Sequence, residues 1–382
     1  MDIFSVPSWK EGSKKGEPLF PFTHRLRIWI GPRAEYANRA VTATRQQRPP
    51  MDILGPNPVG VPPNIANPYN PVIREIQRRL TLIRRGQHLS DLGTKLGLVV
   101  EGGGMRGVTS GGSLIAMEQL GLTSAFDEVY AESAGAINAC YFLASQAAFG
   151  ESIYLEDLAS LRFFNPVRVN RILDMDFLID HVMTRVKPLA VDKVMESRSK
   201  LFVSITNVDE GTARVVDVKE EKPPLLRLLK ATAAVIPLYN QSVMLDGIPY
   251  ADGGITDPIP VIDAINNGCT HILVLLTRPH GFRLEEFEGA KRIVLKVLLR
   301  RWNRRFVDAF FNIRYRRYNE ARDIAFGDVP AAPGVNLAVL CPTSGAPAVA
   351  RTTISRRRLE AAMKHSIGET LQLLGPASRG LA

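Results

Sequence analysis

Cysteine is scarce in this chain of 382 residues: Cys140, Cys269 and Cys341 stand in separate apolar contexts with no CxxC pair. That spacing argues against a dithiol redox motif and fits buried free thiols in a reducing compartment. Long apolar runs are also missing. Stretches such as 96–100 and 272–276 fall far short of the roughly 20 residues of a spanning helix. The opening MDIFSVPSWKEGSKK lacks the apolar stretch of a secretory leader, so a cytoplasmic location is expected. No internal repeat, zinc-finger or RNP-like pattern occurs. What is present is ordinary, with 45% hydrophobic and 23% charged residues. This is the composition of a globular protein with a real core, not of a disordered, collagen-like or multi-pass membrane chain.

The formal net charge of +10 points to an acidic partner, an anionic membrane or a nucleic acid. Its distribution says more. Residues 1–96 hold 15 Lys and Arg against 7 Asp and Glu, residues 97–280 hold 15 against 22, and residues 281–382 hold 18 against 9. The middle is acidic and both flanks are basic.

Three zones follow from pattern. Residues 1–95 open with a proline-rich stretch, 49–71, that holds neither a regular helix nor an inner strand. It reads as an extended arm leading into a helix over 72–85, where Val72, Ile73, Ile76, Leu80 and Ile83 share one face. Residues 96–280 alternate strands (96–100, 128–132, 201–206, 214–218, 271–277) with helices (110–120, 136–147, 224–234, 260–267). Residues 151–198 read as mostly helical, and 242–252 as a hairpin turning at Asp246-Gly247. This alternation predicts an α/β fold with a mainly parallel central sheet covered on both faces. Residues 281–382 add a very basic helix over 290–323, a strand over 335–340 and a closing amphipathic helix over 356–374.

Three constellations carry chemistry. Glu101-Gly102-Gly103-Gly104-Met105-Arg106-Gly107 lies between a strand and a helix, where backbone N–H groups can face an anion. A dinucleotide loop, an oxyanion site and a plain tight turn all fit it. The dinucleotide reading wants an acidic residue at the end of the next strand, whereas Asp127 and Glu128 stand at its start. Ala131-Glu132-Ser133-Ala134-Gly135 sets a serine among small neighbours at a strand-to-helix turn, the setting of a nucleophile elbow or of an ordinary helix N-cap. Asp252-Gly253-Gly254 follows the hairpin and suits an exposed base or an Asx-turn.

In this order the three motifs resemble the patatin-like phospholipase family, most closely its bacterial intracellular branch, over roughly 96–277. The segment 231–237 (ATAAVIP) and Ile259-Pro260-Val261 are similar to family sequence around its Asp-Gly-Gly turn. The resemblance implies an α/β/α sandwich and a lipid acyl hydrolase. Ser133 would be the nucleophile and Asp252 its base. Gly102, Gly103, Gly104, Arg106 and Gly107 would form the oxyanion site. No metal or cofactor is implied, and the substrate would be a lipid ester. Two positions depart from the family pattern. Ala131 replaces a glycine, and Glu132 stands where a small or hydroxyl residue is common. A carboxylate there is expected to shield the nucleophile or to disfavour an anionic headgroup.

Two rival readings stand beside this one. A Ser–Asp–His triad would draw on His271, His280 or His365, of which only His280 sits in a loop pattern. A non-catalytic lipid-binding protein would rely on the flanks. Residues 290–323 hold 11 Lys and Arg against 3 acids, interleaved with residues such as Val297, Trp302, Phe306 and Phe310. Such a helix suits an anionic membrane surface better than nucleic acid, or packs on the core with a solvated basic face.

Overall fold

The computed structural model describes residues 62–90 and 92–375. The arm expected over 49–71 falls mostly outside them. The chain enters the described region through α1 (Pro71–Arg84), capped by the Asn70 side chain and with Pro71 in its first turn, where no N–H is needed. Then come β1 (Leu96–Val100), α2 (Gly107–Leu120), β2 (Glu128–Ala131), α3 (Ser133–Leu143), β3 (Lys200–Asn207) and β4 (Thr212–Asp217). They are followed by α4 (Leu225–Thr232), β5 (Val243–Leu245), β6 (Ile248–Asp252), α5 (Val261–Asn266) and β7 (His271–Leu275). The chain closes with α6 (Gly289–Leu298), α7 (Arg314–Phe326), β8 (Asn336–Leu340) and α8 (Arg356–Leu374).

All eight strands form one sheet in the order β5-β6-β3-β2-β1-β7-β8, with β4 also paired to β3. Side-chain alternation sorts its faces. Leu96, Leu98 and Val100 of β1 enter a core with residues of α1, α2, α3 and α8. Val99 points the other way, among Val261 and Ala264 of α5 and Tyr318, Ala321 and Ala325 of α7. Burial on both faces is why LGLVV and HILVL are unbroken apolar runs. A third cluster gathers Leu295, Leu299, Phe306, Phe310 and Phe311.

The sheet is mixed: its centre is parallel, as expected, and three antiparallel pairings are added on one side. β3, β2, β1, β7 and β8 run parallel, but β4 and β6 both join β3 antiparallel, and β5 joins β6 antiparallel. The hairpins that supply them have short turns, and only antiparallel neighbours can be so joined. The helix expected over 290–323 is broken. α6 ends at Leu298, and Asn303 caps a new turn whose N–H, that of Arg305, its side chain accepts at 2.9 Å. Residues 151–198 hold short helical pieces separated by loops, with one ten-residue wide-turn segment, Phe177–Val186.

Candidate active site

β3 fixes the geometry. Its residues Phe202 and Val203 pair with β2 on one edge and β4 on the other. Ile205, Thr206 and Asn207 pair with β4 and β6. β2 and β6 therefore share one edge of β3, and they run toward each other. β2 ends with Ala131 opposite Val203, and β6 ends with Asp252 opposite Ile205. The two carboxyl ends stop two residues apart along β3, about 7 Å at ordinary strand rise. Ser204 occupies the gap.

The chain leaves β2 through a sharp turn. Ser133 has φ +51°, which costs a non-glycine residue on the order of 1–3 kcal/mol unless its surroundings hold it. Thr232, at the end of α4 and fully buried, does the holding. Its Oγ1 accepts the Ser133 N–H at 2.8 Å and donates to the Ser204 carbonyl at 2.7 Å. Small neighbours permit the bend. A Cβ on Gly135 would lie 2.4 Å from the Val100 carbonyl, and one on Gly253 would lie 2.2 Å from that of Ser204.

The glycine loop runs beside Ser133. The Gly102 N–H donates to Glu132 Oε1 at 2.7 Å, and the Gly107 N–H is used inside the turn by the carbonyls of Gly104 and Met105. These two positions are thus not free to bind an oxyanion, contrary to expectation. Gly103 and Gly104 open the helical turn Gly104–Arg106, where the first N–H groups have no intrahelical acceptor. Glu101 is anchored by the Thr277 N–H at 2.6 Å and the Tyr318 hydroxyl at 2.9 Å.

Two buried carboxyls face each other here. Asp252 Oδ1 accepts the Gly254 N–H at 2.9 Å, while Oδ2 has no protein partner. Burial raises the Asp252 pKa, against the pull of Arg351 and of the Ser133 hydroxyl. The Ser133 hydroxyl thus lies close enough to Asp252 to favour its ionised form. Glu132 is pushed up further, well above the ordinary carboxylate range, by burial and then by the neighbouring Asp252 charge. Its carboxyl is turned to the Gly102 N–H, and its raised pKa works against the charge expected to repel an anionic headgroup.

Ser133, Asp252, Glu132, Gly102, Gly103, Gly104, Arg106 and Gly254 line one recess. A family comparison now has a geometry to meet. The patatin-like phospholipase family matches residues 98–265, which contain the glycine loop, the serine elbow and the Asp-Gly-Gly turn. The chain contains a patatin-like phospholipase domain. It is also similar to the uncharacterized protein YjjU of Escherichia coli (strain K12), at 29% identity over 191 residues, 48% of this chain and 52% of that protein. The chain thus spans about half the length of that curated relative. Among solved structures it is similar to VipD from Legionella pneumophila, with a TM-score of 0.41 and 14% identity over 74% of this chain and 66% of that one.

Among the described residues no histidine lines the recess. His280 rests its ring edge-on against Phe326 at 4.8 Å, His271 sits on β7 beside Thr270, and His365 pairs with Glu369. Ala131 and Ala134 serve packing and are buried. Four lining residues escaped sequence reasoning: Arg278, Arg314, Tyr318 and Arg351. All lie beyond the family match, with no local motif to join them. Thr232 was missed as well, although it lies within the 231–237 segment that the resemblance singled out.

Proposed function

We propose that the protein is a serine-dependent lipid acyl hydrolase acting through Ser133 and Asp252. The observation that carries this is the head-on approach of β2 and β6, which sets a strained serine beside a carboxylate oxygen with no protein partner. Ser133 Oγ attacks the ester carbonyl and its proton passes to Asp252 Oδ2. Burial makes Asp252 a better base than a free carboxylate. The amides of Gly103 and Gly104, with Arg106 behind them, receive the oxyanion. Asp252 returns the proton to the departing alcohol, leaving an acyl-serine. Water then attacks the acyl carbon, giving its proton to Asp252, and Ser133 leaves with that proton as a fatty acid is released. The hydrolase unit in this reading spans residues 96–280, and the segment 281–382 completes its pocket.

Docking on an anionic bilayer belongs to the same reading and is supported by α6. Ile293 is 66% exposed and Val297 58% exposed, beside Lys291 and Lys296. The aromatic residues first read as anchors, Phe306, Phe310 and Phe311, are core residues. Among the described residues no helix is long and apolar enough to cross a membrane.

Labelling with a serine-directed fluorophosphonate and peptide mapping tests the assignment. Wild type is expected to label at Ser133 and Ser133→Ala not at all, with ester turnover lost. A folded Ser133→Ala protein that still hydrolyses esters at the wild-type rate overturns it.

A further inference from the structure

Four guanidiniums close over the recess. Arg106 comes from the glycine turn, Arg278 follows β7, Arg314 opens α7, and Arg351 lies in the segment between β8 and α8. None forms a salt bridge or a side-chain hydrogen bond among the described residues, and the Nε atoms of Arg106, Arg278 and Arg314 are buried without a partner. The four residues are half-buried and line the recess, so their outer N–H groups can meet a ligand there. Aromatic rings hold two of the four in place instead. Arg278 lies 3.7 Å from the Phe282 ring centre, and Arg314 lies 4.6 Å from that of Phe287. Such stacking fixes a guanidinium plane and leaves its N–H edge free. The four are also close enough to weaken one another. Burial, then Arg278 and Arg351, brings Arg106 down to about 9, and burial, then Arg351 and Arg278, does the same to Arg314. The same recess is lined by three carboxyls, those of Glu101, Glu132 and Asp252, against the four guanidiniums. The side of the recess facing Ser133 is therefore an array of unpaired donors around excess positive charge.

We propose that Arg278, Arg314 and Arg351, with Arg106, form a subsite for the phosphate of a phosphomonoester-bearing lipid ester, held while Ser133 attacks the acyl carbonyl. This rests on the acyl-hydrolase reading above. A doubly charged tetrahedral phosphate offers acceptors to several planar donors at once. A zwitterionic headgroup would bring a cation against the same array, which is a repulsive contact. The basic C-terminal segment would thus decide which ester is cleaved.

The test compares three esters of equal acyl length in neutral detergent micelles: a phosphatidate, a phosphatidylcholine and a diacylglycerol. Wild type is expected to favour the phosphatidate in kcat/KM by about tenfold or more over each of the others. Arg314→Gln and Arg351→Gln should each cut the phosphatidate-to-diacylglycerol ratio by about tenfold, chiefly through KM. Arg316→Gln, an exposed arginine of α7 outside the recess, should leave that ratio unchanged. A second arm measures binding by calorimetry with folded Ser133→Ala protein. A water-soluble phosphatidate should bind, and Arg351→Gln in that background should weaken it about tenfold. Inorganic phosphate should bind more weakly than the phosphatidate. If it binds as tightly, the site serves free phosphate, not a headgroup, and the proposal fails. Equal turnover of the three esters, or ratios untouched by Arg314→Gln and Arg351→Gln, also overturns it. Phosphatidate binding with no ester turnover by wild type would leave the subsite standing and refute the hydrolase reading instead.

Discussion

Removing one hydroxyl should loosen the elbow without disturbing its packing. Thr232→Val keeps shape but deletes the atom that joins the Ser133 N–H to the Ser204 carbonyl. Both groups are buried and would lose their partner. An orphaned buried group costs about 1–3 kcal/mol, the carbonyl being the cheaper of the two. The expected loss of stability is therefore roughly 2–4 kcal/mol, or about 3–5 °C in Tm for a chain of this size. The effect on reactivity follows separately. The positive φ of Ser133 is a strained state of about 1–3 kcal/mol. If relaxation releases that strain, the reactive geometry falls about 5-fold to 100-fold in population, at 1.36 kcal/mol per factor of ten. The assay pairs thermal unfolding with the second-order rate of fluorophosphonate labelling. Thr232→Ser restores the hydroxyl and should recover most of both. A valine variant with wild-type Tm and wild-type labelling rate would refute the claim that Thr232 holds the elbow.

Two further changes probe neighbouring features. Burial, then Asp263, lifts the Asp257 carboxyl from 3.8 to about 7. The folded state therefore binds its proton more tightly than the unfolded chain does, so stability present at acid pH is lost as pH rises through that window. Urea unfolding at pH 5 and pH 8 should show Asp257→Asn losing less stability than wild type over the interval, the difference being on the order of 1 kcal/mol or more; equal losses would rule the coupling out. Gly104 has φ +59°, and a Cβ there would meet Arg351 Cγ at 2.8 Å and the Arg351 carbonyl at 2.9 Å. Gly104→Ala is expected to slow ester turnover at least tenfold, whereas Gly86→Ala, at φ +67° with open space around it, should cost about 1 kcal/mol of stability and no activity.

Local signals were legible where short-range physics decides. The amphipathic period of 356–374 gave α8 its observed bounds, and Asp246-Gly247 turns the β5–β6 hairpin with φ +50° and +79°, as a two-residue hairpin turn requires. The three motifs reached one recess because each is a turn at the end of a sheet strand, so strand order alone brings them together. Long-range placement was not legible. Nothing in the sequence shows that β6 runs antiparallel along the edge β2 uses, and the mixed sheet follows from that. Arginines in the 290–323 stretch look alike in sequence, yet Arg316 is exposed while Arg314 turns inward onto Phe287. Glu132 misled for a related reason: a carboxylate read as a surface charge is bonded to the Gly102 N–H and buried beside Asp252, and that burial raises its pKa well above the ordinary carboxylate range.

The uneven charge along the chain thereby separates into two roles with different physics. The acidic middle contributes Glu101, Glu132 and Asp252 to the recess, and the basic third section contributes Arg314 and Arg351 to the same space. The middle also supplies Arg106 and Arg278, which only offset its carboxyls; the two guanidiniums from the distant segment tip the local field positive without changing the catalytic residues. These charges are half-buried in a recess, so salt screens them less than charges on the open surface. The lysines of α6 are exposed, and their attraction to an anionic surface must fade as the Debye length shrinks from about 10 Å at 0.1 M salt to 3 Å at 1 M. Raising salt should therefore strip the protein from anionic vesicles while its preference for a phosphomonoester in neutral micelles persists. If both vanish together, the arginines of the recess are solvated, and one diffuse basic surface explains both effects.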